Sequence, residues 1–168
     1  TPSGKYVSET LLVRLRKKLG IDTLTPIHRI DRETAGLVLF SVKPEGRNLY
    51  QRLFRENFVS KHYEAIAPYR DDIAFPMRYR SRIEEGDSFM RMRVIPDGTP
   101  NAETEISIQQ KSNAFAHYHL KPVTGRKHQL RIQMCSLGIP LLNDRIYPVH
   151  LPEAVTDEMQ AEEFRYPL

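Results

Sequence analysis

Two short segments concentrate side chains that can do chemistry. The first, residues 28–36 (HRIDRETAG), places five ionisable side chains within six residues, directly before an apolar run. Packing does not explain so many ionisable side chains beside an apolar run, so this segment is a candidate functional site. The alternative is a solvated turn in which Asp31 and Glu33 pair with Arg29 and Arg32, since exposed charge pairs are common and weak.

The second segment, residues 121–131 (KPVTGRKHQLR), joins a predicted strand to a predicted helix. Its backbone N–H groups, together with Arg126, Lys127 and His128, can bind phosphate at the start of that helix. A basic surface turn explains the same residues without a ligand. The elements around both segments are therefore needed before a function can be chosen.

The elements before residue 60 are predicted from apolar spacing. A first helix follows from apolar residues that recur every four positions: Val7, Leu11, Leu15 and Leu19. Ser8 is its predicted N-cap and Gly20 its stop. Residues 36–42 (GLVLFSV) predict a buried strand. A second helix is predicted over residues 45–57, with Leu49 and Leu53 facing inward and three arginines facing outward: Arg47, Arg52 and Arg55.

The rest of the chain alternates between apolar and polar residues. Strands are predicted at residues 61–67, in hairpins between 73 and 108, and at 115–123. A helix over residues 128–137 follows, which Gly138 and Pro140 end. Helices combined with a mixed, mostly antiparallel sheet predict the α+β class.

The composition describes a chain that folds around its own hydrophobic core without covalent cross-links. It has 168 residues, 40% of them hydrophobic, and one cysteine, Cys135, which we place as a small apolar filler in the last helix. This length predicts a single domain. No run reaches the roughly 20 apolar residues of a membrane span, and residues 1–20 lack the apolar centre of a signal peptide. We expect a cytoplasmic monomer.

The net charge of +4 is unevenly distributed. Residues 1–60 carry 11 Lys/Arg against 6 Asp/Glu, residues 101–150 carry 6 against 3, and residues 151–168 carry 1 against 5. The basic excess lies in the stretches that contain the two segments above. This distribution favours a polyanion partner, and an ordinary solvated surface is the alternative.

The HRIDRETAG segment resembles the signature of the RluA-type pseudouridine synthases, in which His-Arg-Leu-Asp precedes two variable residues and then Thr-Ser/Ala-Gly. Three more motifs follow in the family's order: KHYEAI at residues 61–66, TGRKHQLR at 124–131 and GIPLLNDRIYP at 138–148. Four motifs in order are far more specific than one. The chain is identified as a member of this family, which implies the pseudouridine synthase fold.

Some features depart from the family's pattern. Ala35 stands where Ser is often found, and Asn143 stands where Gly is usual, in a turn that Asn can still form because it tolerates left-handed backbone. Relatives also begin upstream and continue beyond this sequence. We therefore expect residues 1–168 to be one catalytic domain cut at both ends, without an S4-like RNA-binding domain.

The resemblance implies a reaction that breaks the bond between N1 of uracil and C1′ of ribose, rotates the freed base and bonds C5 to C1′. No electron or outside atom is exchanged, so neither a metal nor another cofactor is expected. The family's roles fall on Asp31 as the covalent group, Arg131 as the cation that aims it, and Tyr63 as the ring that stacks on the base. Attack by Asp31 at C1′, attack at C6, and a glycal-like intermediate all stay open.

The resemblance also implies an RNA substrate, ribosomal or transfer RNA, with the target uridine extruded from its stack. Arg29 matches the arginine that some relatives insert into the vacated space. The expected RNA contacts are His28, Arg29, Arg32, Thr34, Lys61, Arg126 and His128. Further candidates for phosphate contacts are Lys127, Arg14, Arg16, Lys17 and Lys18.

Two other functions fit parts of the sequence. A non-catalytic RNA-binding module of the same fold explains the basic stretches, but it gives no reason for Asp31, Tyr63 and Arg131 together. A metal-dependent hydrolase is the second, with the ligands His28, Asp31, His117 and His119. His117 and His119 form a His-x-His pair, and no third ligand stands at metal-site spacing. Tight RNA binding without base conversion would identify the RNA-binding module. Metal bound to the protein in stoichiometric amount would identify the hydrolase.

Overall fold

The computed structural model describes residues 10–31, 33–88 and 91–149. The chain divides after Ser60 into two units, residues 1–60 and 61–168, which we describe separately. No helix in the described part of the chain has the length and apolar character needed to cross a membrane.

The first unit begins with the predicted helix, in a shorter form. Helix α1 (Leu11–Leu19) is N-capped by Thr10, whose hydroxyl accepts from the Val13 amide at 3.4 Å, and ends at Gly20 with φ of 67°. The predicted cap, Ser8, lies outside the described residues. Leu11 and Leu19 are each exposed. The four-residue spacing therefore predicted the helix correctly but not its burial.

The predicted buried strand over residues 36–42 is wrong. Only β2 (Phe40–Ser41) forms, and it pairs antiparallel with the equally short β1 (Thr25–Pro26). A strand extends only as far as its partner supplies hydrogen-bonding groups, and β1 supplies two residues. Leu37 is consequently 89% exposed.

The second helix is present, but three side-chain directions were predicted wrongly. A 3-10 turn (Pro44–Gly46) leads into α2 (Arg47–Arg55). Leu49 and Leu53 are exposed rather than inward. Arg47 turns inward instead, where its Nη2 donates to the Thr23 carbonyl at 2.6 Å. A guanidinium can donate to a backbone carbonyl, which an apolar side chain cannot.

The second unit is an antiparallel sheet with one helix, as the alternating sequence predicted. Its strands are β3 (Tyr63–Pro68), β4 (Met77–Glu85), β5 (Met92–Ile95), β6 (Ala102–Lys111) and β7 (Phe115–Pro122). Their order is β3-β7-β6-β4-β5, and α3 (Gln129–Ser136) follows. Every pairing among the described residues is antiparallel. The α+β class is confirmed.

Two apolar clusters fix α3 against this sheet. The first contains Ala67, Ile106, Ala116, Tyr118, Leu120, Met134 and Ile139. The second contains Ile83, Ala102, Ile132, Ile146 and Tyr147, with Cys135 partly buried beside it as predicted. Because α3 contributes Met134 to one cluster and Ile132 to the other, it cannot rotate without opening a core. The side chains on α3 are therefore held in fixed directions.

Candidate active site

Backbone hydrogen bonds and one histidine hold the loop that carries Asp31. The Ile27 amide donates to the Leu39 carbonyl at 2.9 Å, and His28 Nε2 accepts from the Leu39 amide at 3.1 Å. Since Nε2 accepts, the ring proton is assigned to Nδ1, which lies 3.2 Å from the Arg29 carbonyl. The ring also stacks on Phe54, with centroids 4.7 Å apart. His28 thus closes the base of this loop.

Asp31 lies within the loop with its side chain 20% exposed. The Thr34 amide donates to the Asp31 carbonyl at 3.2 Å and closes a turn around it. Arg29 Nη2 lies 4.0 Å from Asp31 Oδ1, and the Arg29 side chain is 62% exposed. The carboxylate therefore has a cation at the edge of ion-pair distance and remains within reach of solvent. Arg32 lies outside the described residues.

A buried hydrogen-bond network fixes the turn at residues 124–128. Gln129 Oε1 accepts from the Thr124 hydroxyl at 2.8 Å and from the Arg126 amide at 3.0 Å. Gln129 Nε2 donates to the Glu103 carbonyl and to the Thr104 hydroxyl. The turn is thereby tied to β6. The Thr and Gln of the TGRKHQLR motif thus have a structural explanation that does not involve RNA.

The network continues across the sheet through Gln133, which is fully buried. Its Oε1 accepts from the Thr104 hydroxyl at 2.6 Å, and its Nε2 donates to the Ser81 hydroxyl at 3.0 Å. Thr104 and Ser81 are also buried. A buried polar network stabilises one arrangement only when its members are satisfied, as they are here.

Gln133→Leu is expected to destabilise the protein by about 1–3 kcal/mol, because it removes the acceptor of the Thr104 hydroxyl and the donor to the Ser81 hydroxyl. Urea denaturation of the variant and wild type measures the difference. Gln110→Leu makes the same change at an exposed position of β6 and serves as the control. Equal stabilities for the two variants would contradict the role of the network.

Arg131 forms a buried bidentate ion pair with Asp144. Its Nε donates to Asp144 Oδ2 and its Nη2 to Oδ1, both at 2.7 Å. The side chains of Arg131 and Asp144 are 9% and 4% exposed. Paired, parallel hydrogen bonds of this kind fix the plane of the guanidinium as well as its charge. Arg131 therefore points in one direction.

Asp144 is ionised because of its partners. Burial on its own raises the pKa of this carboxyl, but hydrogen bonds from Arg131 and the Ile146 amide, with attraction to the guanidinium, hold the pKa below its ordinary value. A carboxyl of this kind contributes stability above its unfolded pKa of about 3.9 and loses it as the pH falls through the folded value.

Wild-type protein is accordingly expected to lose stability as the pH falls below about 4, and Asp144→Asn to lose less over the same range. Urea denaturation at pH 5 and at pH 3 gives the two differences. Asp71→Asn, at an exposed position in the same unit, is the control and should follow the wild type. Equal losses of stability between pH 5 and pH 3 in wild type and Asp144→Asn would contradict this account.

Tyr147 connects Arg131 to His128. The guanidinium of Arg131 lies 5.5 Å from the centroid of the Tyr147 ring, a cation–π distance. The Tyr147 hydroxyl accepts from the Met92 amide at 2.7 Å and lies 3.1 Å from His128 Nδ1. The Met92 amide, the Tyr147 hydroxyl and His128 Nδ1 all have a partner when the Tyr147 hydroxyl donates to Nδ1 and the ring proton of His128 is on Nε2. His128 itself has a left-handed backbone, with φ of 52°.

Lys61 and Tyr63 lie on the β3 side of the second unit. Lys61 Nζ donates to the Thr124 carbonyl at 3.1 Å, and burial lowers the pKa of this amine. Tyr63, the first residue of β3, is partly buried and packs against the first apolar cluster. Lys61 thus helps to hold the turn at residues 124–128 by its hydrogen bond to the Thr124 carbonyl. Its predicted contact with RNA stays a prediction.

The remaining predicted phosphate contacts differ in their surroundings. Arg126 is exposed on the turn, where its Nε donates to the Asn101 carbonyl at 3.1 Å. Arg16 donates from Nε and Nη2 to the Leu24 carbonyl and closes the end of α1. Lys17 and Lys18 are exposed on α1. Arg126 therefore stays a strong candidate for phosphate, whereas Arg16 has a structural use.

The histidines of the metal-site alternative pair with other groups. His117 Nε2 lies 3.2 Å from Glu64 Oε2, and His119 Nε2 lies 3.0 Å from His62 Nδ1. Across residues 10–31, 33–88 and 91–149, no group of three or more His, Cys, Asp or Glu side chains has a geometry that could hold a metal ion.

Sequence reasoning missed Asp144 and Tyr147 as partners of Arg131. Both belong to the GIPLLNDRIYP motif, which identified the family without indicating what its residues contact. The signal that could have found them is the pairing of a motif carboxylate with a motif arginine 13 positions away. Asn143, in the same turn, has φ of 62°, as its tolerance of left-handed backbone predicted.

Comparisons with known proteins agree with this architecture. The profile of the RNA pseudouridylate synthase family matches residues 2–136. The dual-specificity RNA pseudouridine synthase RluA of Pasteurella multocida is 28% identical over 95% of this chain and 74% of its own length. RluA of Haemophilus influenzae is 30% identical over 83% of this chain and 63% of its own length.

A solved structure shows the same fold. Human RNA pseudouridylate synthase domain containing 1 superposes with a TM-score of 0.70 at 23% identity, over 82% of this chain and 60% of that one. The chain thus spans 60% of the length of this solved structure and 63% of that of the Haemophilus relative. The chain belongs to the RNA pseudouridylate synthase family, whose named relatives are isomerases, and has the α+β fold of that family.

Proposed function

We propose that this protein isomerises uridine to pseudouridine in ribosomal or transfer RNA, with Asp31 as the covalent group. The observation that carries the proposal is the family match together with a partly exposed Asp31 carboxylate on a loop held by His28. The name of one relative, a ribosomal large subunit pseudouridine synthase of Vibrio cholerae, supports ribosomal RNA as the substrate.

The reaction conserves all atoms of the nucleotide. The bond between N1 and C1′ breaks, the base rotates, C5 bonds to C1′, the C5 proton leaves, and N1 takes up a proton. A carboxylate can hold the sugar or the base during the rotation, and it needs no metal or redox partner for this step. Asp31 supplies that group in the proposal.

Arg131 and Tyr63 are the other two catalytic residues of the proposal, Arg131 as the cation and Tyr63 as the ring that stacks on the base. The bidentate pair with Asp144 fixes the plane of the Arg131 guanidinium, which supports a role that depends on its direction.

The target uridine must leave its stack, which costs a few kcal/mol and least in loops. Arg29 is suited to fill the vacated space because its side chain is long, cationic and exposed, two residues from Asp31. Arg126 is exposed on the turn at residues 124–128 and is suited to contact RNA phosphates.

Arg29→Ala is expected to lower the single-turnover rate at saturating RNA by about tenfold or more while the Kd for RNA changes less, because base extrusion costs a few kcal/mol. The fluorescence of a 2-aminopurine next to the target uridine reports the extrusion directly. Arg55→Ala, at an exposed position on α2, is the control. An equal fall in rate and binding would reduce Arg29 to a phosphate contact.

The proposed activity is tested by incubating the protein with unmodified transcripts of ribosomal and transfer RNA and mapping pseudouridine by chemical modification and primer extension. New stops at defined uridines support the proposal. Tight RNA binding without any new stop would instead identify a non-catalytic RNA-binding module.

A further inference from the structure

We infer that Arg91 is a further RNA-binding residue and that it holds a phosphate of the RNA. Arg91 lies outside the four sequence motifs and is not among the RNA contacts that the resemblance implies. The inference rests on the proposed function for the identity of the partner, since an RNA substrate supplies the phosphate. It concerns the second unit alone.

Arg91 lies directly before β5 and is held there by its neighbours. Its backbone amide donates to the Ser88 carbonyl, and its own carbonyl accepts from the Gly86 amide, both at 2.9 Å. From the side chain, Nη2 donates to the Pro148 carbonyl at 2.6 Å. The guanidinium lies 5.6 Å from the centroid of the buried Tyr147 ring. A hydrogen bond and a cation–π contact thus hold this charged group in place.

Arg91 differs from most arginines of this unit because it has no carboxylate partner among the described residues. Six others each pair with an Asp or a Glu: Arg70, Arg78, Arg80, Arg82, Arg93 and Arg131. The contact of Arg91 with Pro148 is to a neutral carbonyl, which leaves its charge without a counter-ion. A cation that is held in place in this way is suited to an anion from outside the protein.

The remaining donors of Arg91 can be reached from solvent. A guanidinium has five N–H donors, and the Pro148 carbonyl takes one of them. The Arg91 side chain is partly exposed. In the part of the chain that the structure describes, the one buried side-chain nitrogen or oxygen without a partner is Arg47 Nε. The nitrogens of Arg91 that have no partner are therefore not buried, and an anion can reach them without displacing a protein group.

Tyr147 places Arg91 beside residues of the TGRKHQLR motif. The Tyr147 hydroxyl lies 3.1 Å from His128 Nδ1, and its ring lies 5.5 Å from the guanidinium of Arg131. Both residues belong to that motif. Arg91 thus adds a cation from outside the motifs to a part of the second unit where motif residues gather.

A phosphodiester is the anion that this arrangement suits. Two oxygens of a phosphate can accept from the planar fork of a guanidinium, and an RNA carries such a group at every nucleotide. Contacts to phosphate fix position and add affinity, but they do not read the base. The contact is therefore expected to contribute to RNA affinity and not to the chemical step.

Arg91→Gln is the direct test, since glutamine can still donate to the Pro148 carbonyl but carries no charge. Binding is measured with unmodified transcripts of ribosomal and transfer RNA over a range of salt concentrations. We expect the Kd to rise by about tenfold at low salt. The slope of log Kd against log salt should fall by about 0.7 to 0.9, the contribution of one phosphate contact. The single-turnover rate at saturating RNA should stay within about threefold of the wild type.

Arg80→Gln makes the same change on the other face of the sheet and is the control. Arg80 is exposed and pairs with Glu103 at 2.7 Å, whereas its neighbour Ser81 points the opposite way, toward Gln133 on α3. The salt slope of Arg80→Gln should match that of the wild type. An equal slope in Arg91→Gln would overturn the inference whatever the change in Kd, because a purely structural role leaves the number of phosphate contacts unchanged.

Chemical modification of the wild type decides the matter if Arg91→Gln does not fold. Phenylglyoxal reacts with accessible guanidinium groups, and mass spectrometry of the peptides locates the modified arginines. Saturating RNA should slow the modification of Arg91 and leave that of Arg80 unchanged. Equal modification of Arg91 with and without RNA would overturn the inference.

Failure of the inference and failure of the proposed function give different results. A wild type that binds these RNAs and forms no pseudouridine refutes the isomerisation, and a lower salt slope in Arg91→Gln would still support the phosphate contact. A wild type that forms pseudouridine, with an unchanged slope in Arg91→Gln, overturns the contact alone. Absence of RNA binding by the wild type would overturn both.

Discussion

Asp31→Asn should abolish pseudouridine formation, with a fall in rate of at least about 1,000-fold, as is typical when a covalent catalytic group is removed. Asparagine has nearly the same shape as aspartate but carries no negative charge and is a poor nucleophile. The Thr34 amide donates to the backbone carbonyl of Asp31, so the turn should survive the change. Single-turnover conversion of a mapped target uridine measures the effect.

The fold and the RNA affinity of Asp31→Asn should stay close to the wild type, because the variant alters the chemical step. Asp22→Asn makes the same substitution at an exposed position of the first unit and should leave the rate unchanged. If Asp31→Asn retained its activity, the covalent role would have to move to another residue.

Arg131→Met should destabilise the protein by about 3–5 kcal/mol, the usual cost of leaving one member of a buried ion pair without its partner. Methionine fills much of the arginine volume, so the effect comes mainly from the uncompensated Asp144 carboxylate, whose side chain is 4% exposed. The loss should be smaller at pH 5 than at pH 8, because burial then favours protonation of that carboxyl. Urea denaturation at the two pH values measures both.

Arg82→Met provides the matched control in the same unit. Arg82 pairs with Glu84 at 2.9 Å, but both side chains are about 40% exposed, and exposed pairs contribute only about 0.2–1 kcal/mol. A loss in Arg131→Met no larger than in Arg82→Met would contradict the description of the Arg131–Asp144 pair as buried and coupled.

The second unit was predictable from the sequence because the spacing of its apolar residues matches the strands and the helix that form. In β6 and β7 alternate residues are buried, as a two-residue apolar period requires. Gly138 has φ of 76° just beyond α3, which explains why it marked the end of that helix. Local pattern and tertiary packing agree there, so the strands and α3 were placed correctly.

The first unit was harder because its apolar residues are not matched by packing. Leu37 and Leu49 looked like core residues and are exposed, at 89% and 67%. Sequence patterns report what a segment could bury, whereas burial depends on whether a partner element is there. Arg47 shows the reverse case, since its inward turn depends on the Thr23 carbonyl and leaves no periodic signal.

The candidate site was identified from motifs, but its internal connections were not. Arg131 was found through TGRKHQLR, and Asp144 and Tyr147 lay within another quoted motif. Their contact depends on how α3 and the turn before Tyr147 pack, which no spacing rule contains. His28 is similar, since its use of both ring nitrogens within the loop is visible only from the Leu39 and Arg29 backbone positions.

The most direct test of the central claim follows the hydrogen that the reaction must release. RNA labelled with tritium at C5 of uridine should release one tritium per pseudouridine formed when wild-type protein is added, because C5 bonds to C1′ and its proton leaves. Asp31→Asn should release none above background. Release by both proteins at equal rates would contradict the role of Asp31, and binding of the labelled RNA by wild type without any release would contradict the proposed isomerisation itself.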